Sequence, residues 1–299
     1  MPYPIEDAVP AGFGTTAIED GVPYGPPPDR PLPDAPPGEP QIPRRKGLWF
    51  ALASVTALVV LAPTAGQVYG WMFRQSSDSS WSQAHPITAV QVNVTSGDVR
   101  IDAGSAGQAR VGESLSWVLH KPSVRESWEG DTLVVTAACD NSAFPLPDRC
   151  SADLDITVPA AASVTVTATS GEVTATGMSG SVHMETDSGD IQLSGISGAL
   201  FAHAISGSVT AQSLTTTDAD VQVDSGSVDL DFAAVPQRVV SRVVSGDTSI
   251  FVPRGDGYLI TVQSLLGGRD IDPALLNGQS TRLISADSDS GNVSIHAQG

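Results

Sequence analysis

The sequence predicts an all-β fold, a parallel β-solenoid built from nine-residue strand-and-corner repeats, and two observations carry that prediction. Ser-Gly recurs at residues 170, 179, 188, 197 and 206, always nine apart, and again at 225 after two further blocks. Self-similarity at so short a fixed period marks a stacked-repeat architecture. Within each block, apolar and polar residues alternate, with Val173 and Ala175, Val182 and Met184, Ile191 and Leu193, Leu200 and Ala202, and Val209 and Ala211 on one side. Such alternation is the pattern of a strand with one buried face. Nine residues hold one strand and one corner, and strands this short gain a continuous interior only by stacking.

The glycine after each serine supplies the positive φ that a tight corner needs. Two strands per coil give about eighteen residues per turn, with coils about 4.8 Å apart. On that register Val173, Ile191, Val209 and Val228 form one inward ladder, and Val182, Leu200 and Val221 form another. Phe201 is the single aromatic residue between Thr165 and Asp231, as a narrow tube filled by small aliphatic side chains requires. The competing architecture is an antiparallel sandwich with repetitive turns.

Taken in order, residues 1–46 form a proline-rich tail, with thirteen of the 22 prolines in the first 43 residues. Apolar periodicity is missing there, so the tail is expected to be a disordered cytoplasmic segment of polyproline character. It serves either as a solvated spacer or as a docking peptide. Residues 47–73, GLWFALASVTALVVLAPTAGQVYGWMF, carry no charged side chain and are expected to cross the bilayer as one helix. Trp49 and Trp71 are placed for the two interfacial belts, and Arg44-Arg45-Lys46 orients the N-terminus to the cytoplasm. A cleaved signal peptide is the rival, but it would usually lie nearer Met1, and Pro63 precedes Ala65 where a small-x-small site would be sought. Residues 74–85 are expected to be a polar stalk, and residues 86–299 the β-strand-repeat domain.

Within that domain, ITAVQVNVTSGDVRI brings the first Ser-Gly-Asp-Val at 96–99. Residues 111–138 look like longer strands around a turn near Glu129-Gly130-Asp131. After Asp231 the array loosens. The stretch from Ser264 to Thr281 is expected to loop out or to cover an end, because a solenoid must protect its terminal edges.

The 299 residues carry a formal charge of −18, and from residue 74 onward 11 basic side chains face 26 acidic ones. Such a surface argues against nucleic acid as a partner, since phosphates need clustered Lys and Arg. Cys139 and Cys150 enclose a short polar loop in the segment read as exported, which favours a disulfide over a metal site. Two sulfurs without a nearby histidine are too few for zinc.

The run DITVPAAASVTVTATSGEVTATG, followed by SGSV, SGDI and SGSV and finished by SGNVSI, resembles the bacterial putative-adhesin family of β-strand-repeat domains of unknown function. The resemblance covers roughly Ile87 to the C-terminus. It departs from the pattern at the cysteine loop 139–150 and at Ser-Gly-Ala-Leu, 197–200. The resemblance implies a cell-envelope protein of all-β fold, often membrane-tethered, and brings no catalytic residues.

Candidate chemistry is sparse. Glu172 and Asp190 would sit one coil apart on one corner with Asp187 beside them, a calcium candidate weighed against ordinary solvated corners. The Gly-Gly-x-Gly-x-Asp pattern of calcium-binding nonapeptides is missing. Asp229 with Asp231, and Asp218 with Asp220, are carboxylate pairs of the kind chance supplies in so acidic a chain. His183 and His203 suit exposed strand positions, and Arg254-Gly255-Asp256 is both the tripeptide integrins recognise and ordinary turn chemistry. Sugar stacking needs exposed aromatics, of which the regular array offers Phe201. No cofactor is expected and the chain is not read as an enzyme. The expected protein is a single-pass cell-membrane protein that presents an extracytoplasmic solenoid as an adhesin-like or interaction surface. Its partners would be the bilayer, through the helix, and an extracytoplasmic protein or cell surface. The alternatives are an envelope sensor with a proline-rich relay tail and, third, a β-helix enzyme acting on envelope polymers.

Overall fold

The computed structural model describes residues 52–57, 74–83, 86–139 and 150–298, and the account below concerns the compact unit Ser54–Gly299. Residues 52–57 are helical, and among the described residues no helix is long and apolar enough to cross a membrane. The remainder of the expected span, 47–73, lies outside the described residues, as does the expected proline-rich tail.

Apolar alternation sets the strands, and each Ser-Gly sets a corner. β1 (Gln75–Gln83) opens the domain, and β2 (Ala89–Val94) with β3 (Val99–Gly104) makes the first coil. The chain then runs to the end of the stack, adding β4 (Ala109–Trp117) and β5 (Ser123–Glu129) as outer strands, and comes back toward the first coil as β6 (Thr132–Ala138) and β7 (Ser151–Pro159). The regular coils follow: β8 (Ser163–Ser170) with β9 (Val173–Thr176), β10 (Val182–Ser188) with β11 (Ile191–Ser194), and β12 (Leu200–Ser206) with β13 (Val209–Leu214). Then come β14 (Asp218–Ser225) with β15 (Val228–Phe232), and β16 (Arg238–Ser245) with β17 (Thr248–Val252). β18 (Leu259–Leu266) and β19 (Arg269–Ile271) precede a 3-10 turn at Pro273–Leu275, and β20 (Leu283–Ser290) with β21 (Val293–Ala297) closes the chain.

The two strands of each coil feed two sheets. The first is ordered β1-β4-β7-β3-β9-β11-β13-β15-β17-β21-β19 and the second β18-β20-β16-β14-β12-β10-β8-β2-β6-β5. Pairing is parallel except where β1, β4 and β5 join, which is antiparallel. At both ends the spatial order departs from the chain order. β2 and β3 sit between β6–β7 and β8–β9, and β20 and β21 sit between β16–β17 and β18–β19. The expected covering segment therefore becomes the terminal rung itself, with the last strands of the chain tucked beneath it.

The first inward ladder runs Leu154–Val99–Val173–Ile191–Val209–Val228–Thr248–Val293, with the four expected residues in successive rungs. All four are buried, and burying each valine-sized side chain contributes about 1.5–3 kcal/mol. The second ladder corrects the expected register. Leu200 pairs with Ala219, and Val221 pairs with Ala202. The connection from Leu214 to Ala219 is one residue longer than the one from Ile196 to Leu200 in the coil before, and Ala219, Val221 and Val223 all point inward, so Val221 lies one inward position beyond the true partner. Phe201 points out of the tube, which is filled at that level by Val, Ala, Leu and Met.

A second correction concerns residues 74–85. The segment read as a polar stalk forms β1, in antiparallel register with β4 from Gln75↔Trp117 to Gln83↔Ala109. Cross-strand bonds from the Ser79 hydroxyl to Glu113 and from the Ser114 hydroxyl to Asp78 hold it, and Trp81 packs against the core. Serine-rich composition suggests a spacer, but one anchoring tryptophan and a paired edge make a strand.

Candidate functional site

The corners come first, because the sequence placed candidate ligands there. At the Ser-Gly corners that lead into the first-sheet strands, from Gly97 to Gly291, the glycine has positive φ, and the residue after it bonds across to the neighbouring coil. The Asp98 carboxylate accepts the Glu172 amide at 2.8 Å, Asp190 accepts the Ser208 amide at 2.8 Å, and Asp247 accepts the Asn292 amide at 2.7 Å. The Ser208 hydroxyl accepts the Ser227 amide at 3.2 Å. Glu172 also accepts the Thr174 hydroxyl at 3.2 Å, while Asp187 lies exposed at the end of β10, at the position the ladder skips. The structure thus stacks Glu172 and Asp190 on one corner but gives both carboxylates work as backbone and hydroxyl acceptors. Among the described residues, no group of three or more His, Cys, Asp or Glu side chains comes together as a metal site would require. Where Asp98, Asp153 and Glu172 adjoin Arg100, the surface dips into a hollow of about 240 Å³.

Cys139 and Cys150 are joined as a disulfide with a Cα–Cα distance of 5.8 Å, closing the loop between β6 and β7.

The outer face of the first sheet carries a groove of about 710 Å³. Strand alternation builds it. With Val228, Leu230, Ile250 and Val252 turned inward, Asp229, Asp231 and Phe251 must face outward. Parallel register sets Asp229 beside Thr210 and Ser249, and Asp231 beside Phe251. The C-terminal end of the chain makes one wall. The Gln298 amide donates to the Val252 carbonyl at 2.9 Å, and the Gln298 side-chain amide donates to Asp231. Phe251 is 39% exposed, and the His296 ring tilts against it at 6.0 Å. His296 in turn lies 3.5 Å from Asp270. An open aromatic face flanked by two carboxylates and the Gln212 and Gln298 amides can stack a ring and exchange several hydrogen bonds.

The outer face of the second sheet is more fully paired. His183 stacks on Phe201 with ring centroids 4.5 Å apart and lies 3.1 Å from Glu185, whereas His203 stands one rung beyond Glu185. Arg238 bonds Asp218 at 2.9 Å and Asp220 at 3.3 Å, and Arg242 bonds Asp220 at 3.1 Å. The bond to Asp218 is the main cause raising the Arg238 guanidinium above its ordinary pKa. These two aspartates therefore answer arginines. The Arg254-Gly255-Asp256 tripeptide is a turn with Gly255 at φ 50, and Asp256 lies 3.4 Å from Arg282.

Sequence reasoning placed Asp229 and Asp231 on one face but missed Phe251, His296 and Gln298. The alternation after Ser245-Gly246 marks Phe251 as outward, while the return of Gln298 over Asp231, 67 residues away, leaves no local signal.

The sequence model of the family described as Toastrack DUF4097 matches residues 147–296. No curated protein matches the chain. Among solved structures, the chain is similar to a putative adhesin from Bacteroides fragilis, at 10% identity and a TM-score of 0.47, over 74% of this chain and 97% of that one. It is similar to a putative cell adhesion protein from Clostridium sporogenes, at 10% identity and a TM-score of 0.37, over 75% of this chain and 100% of that one. A putative adhesin from Parabacteroides merdae shares 11% identity at a TM-score of 0.38, over 75% of this chain and 97% of that one.

Proposed function

The chain belongs to the Toastrack DUF4097 family, and we propose that it is a single-pass envelope protein whose solenoid stands outside the cell and acts as an adhesin-like binding surface. The observation that carries the binding role is the groove on the first sheet, where Phe251 and Asp229 lie open to a partner beside the Asp231–Gln298 pair. Its groups suit recognition by stacking and hydrogen bonding, and they are not arranged as a nucleophile with its base. Two further observations support the location. The uncharged run 47–73 follows Arg44-Arg45-Lys46 directly, and the domain carries the Cys139–Cys150 disulfide, which persists in oxidising compartments.

The test uses the full-length chain on intact cells. Added protease should remove the solenoid, and cells carrying the chain should be retained on envelope-coated surfaces better than cells lacking it. Phe251→Ala combined with Asp229→Asn should lower that retention several-fold. Protection from protease would overturn the location, and equal retention with and without the chain would overturn the binding role.

A further inference from the structure

The two ends of the stack are finished differently. Four strands form its edges: β1 and β5 at one end, β18 and β19 at the other. Natural sheets blunt their edges with charges, with very short strands or with a cover. β1 carries Asp78, β5 carries Arg125, Glu126 and Glu129, and β19 is three residues long with Arg269 and Asp270. Trp81, Trp117 and Trp128 also pack against the core at that first end. β18, LITVQSLL, is eight residues long and uncharged, and no charge occurs from Gly257 to Gly268. Leu265 and Leu266 are each 74% exposed, and Leu259 and Leu276 are exposed beside them. Ile260, Val262 and Ile271 are the last inward side chains of the tube and are only partly buried. The segment after β19 covers only the start of this edge, where the Tyr258 amide donates to Leu275 and Tyr258 accepts from Asn277. The Leu259 amide donates toward β20, to the Arg282 carbonyl, so alternation turns the backbone groups of Ile260, Val262 and Ser264 away from the sheet.

We propose that this end is a homodimer interface, at which β18 of one copy pairs antiparallel with β18 of a second copy. An open edge needs another open edge as its partner, and each copy of this chain supplies one. A strand paired antiparallel with its own copy generates a closed two-fold contact in which both partners use the same patch. It sets Ile260 of one copy against Ser264 of the other, with Val262 on the two-fold and Leu259 beside Leu265, and continues the interior across the joint. Charge favours the same place. Copies that carry 26 acidic against 11 basic side chains beyond residue 73 repel across their faces, whereas β18 brings no like charges together. The two-fold lays the stacks end to end, with the β1 strands at the far ends, roughly 100 Å apart for rungs spaced about 4.8 Å. That arrangement suits copies anchored on facing membranes, so the adhesive partner becomes the chain itself. This last consequence rests on the surface role proposed above, but the dimer does not.

The full-length chain is measured in detergent by light scattering over a micromolar concentration series, and then in two differently labelled vesicle populations. The expected result is a reversible dimer and clustering between the two populations. Leu265→Lys with Leu266→Lys, at positions exposed enough to leave the fold intact, should give a monomer with unchanged melting temperature and abolish clustering. A wild-type chain that stays monomeric would overturn the proposal. So would a dimer indifferent to the double lysine variant, or clustering that requires a different envelope protein. A monomer whose cells still adhere would remove the interface and leave the binding role standing. A dimer on a chain that protease cannot reach from outside would do the reverse.

Discussion

The carbonyl oxygen of Gly171 lies 1.9 Å from where a Cβ on residue 189 would sit, and Gly189 itself has φ 152. Each second corner of the stack repeats this relationship, so the coils close upon one another only because a hydrogen stands where a methyl would be. Backbone strain of this kind is worth about 1–3 kcal/mol, and contact with the main chain below adds to it. Gly189→Val is therefore expected to lose at least about 2 kcal/mol in a denaturant melt. Gly107, at φ 76 with nothing within 4 Å of its would-be Cβ, should tolerate alanine with a loss of about 1–2 kcal/mol. Equal effects at the two positions would contradict the close approach.

Ile191 is fully buried between Val173 and Val209. Ile191→Ala should lose about 2–5 kcal/mol, while Gln192→Ala, one residue away on the outer face, should stay within about 0.5 kcal/mol. The reverse order in urea melts would mean that the two faces are exchanged.

Thr248 interrupts the apolar ladder between Val228 and Val293, and its buried hydroxyl has no hydrogen-bond partner among the described residues. Thr248→Val replaces that hydroxyl with a methyl of nearly the same volume. A gain of about 1 kcal/mol is expected, since a buried unsatisfied polar group is penalised by about 1–3 kcal/mol. A destabilised variant would show that the hydroxyl is bonded after all.

The ladder of Val173, Ile191, Val209 and Val228 was legible because the nine-residue period and the two-residue alternation agree at every block. Val221 was misplaced because the stretch from Leu214 to Ala219 carries one residue more than its counterpart in the coil before, and Ala219 and Val221 alternate inward alike, so the pattern does not say which of them meets Leu200. The swapped order at the ends was not legible. Nothing in the local sequence of β2 or β20 says that a later or an earlier coil lies outside it. The groove was half legible for the same reason. Asp229, Asp231 and Phe251 follow from alternation, but the wall contributed by Gln298 depends on where the chain end returns.

Burial, and after it the nearby Glu113 carboxylate, push the Glu126 carboxyl above its ordinary pKa, against the opposing hydrogen bond from Trp81. A carboxyl raised in the folded state stabilises the fold while protonated. That contribution is present below the unfolded value and is lost as pH rises through the folded one. Glu126→Gln keeps an acceptor for Trp81 and removes the charge. It should raise the melting temperature at pH 7, with the advantage fading toward about pH 3, where the wild-type carboxyl is protonated in both states. An advantage that grows on acidification would contradict the assignment.

The central claim, coils stacked rung on rung outside the cell, is tested most directly by cross-linking paired cysteines in the full-length chain on intact cells. Thr174 and Gln192 are register partners on the outer face of the first sheet, whereas His183, nine residues from either, faces outward from the second. With a short membrane-impermeant reagent, Thr174→Cys with Gln192→Cys should cross-link within one chain, and Thr174→Cys with His183→Cys should not. Cross-linking of the second pair but not the first, in intact or opened cells, would contradict the stack.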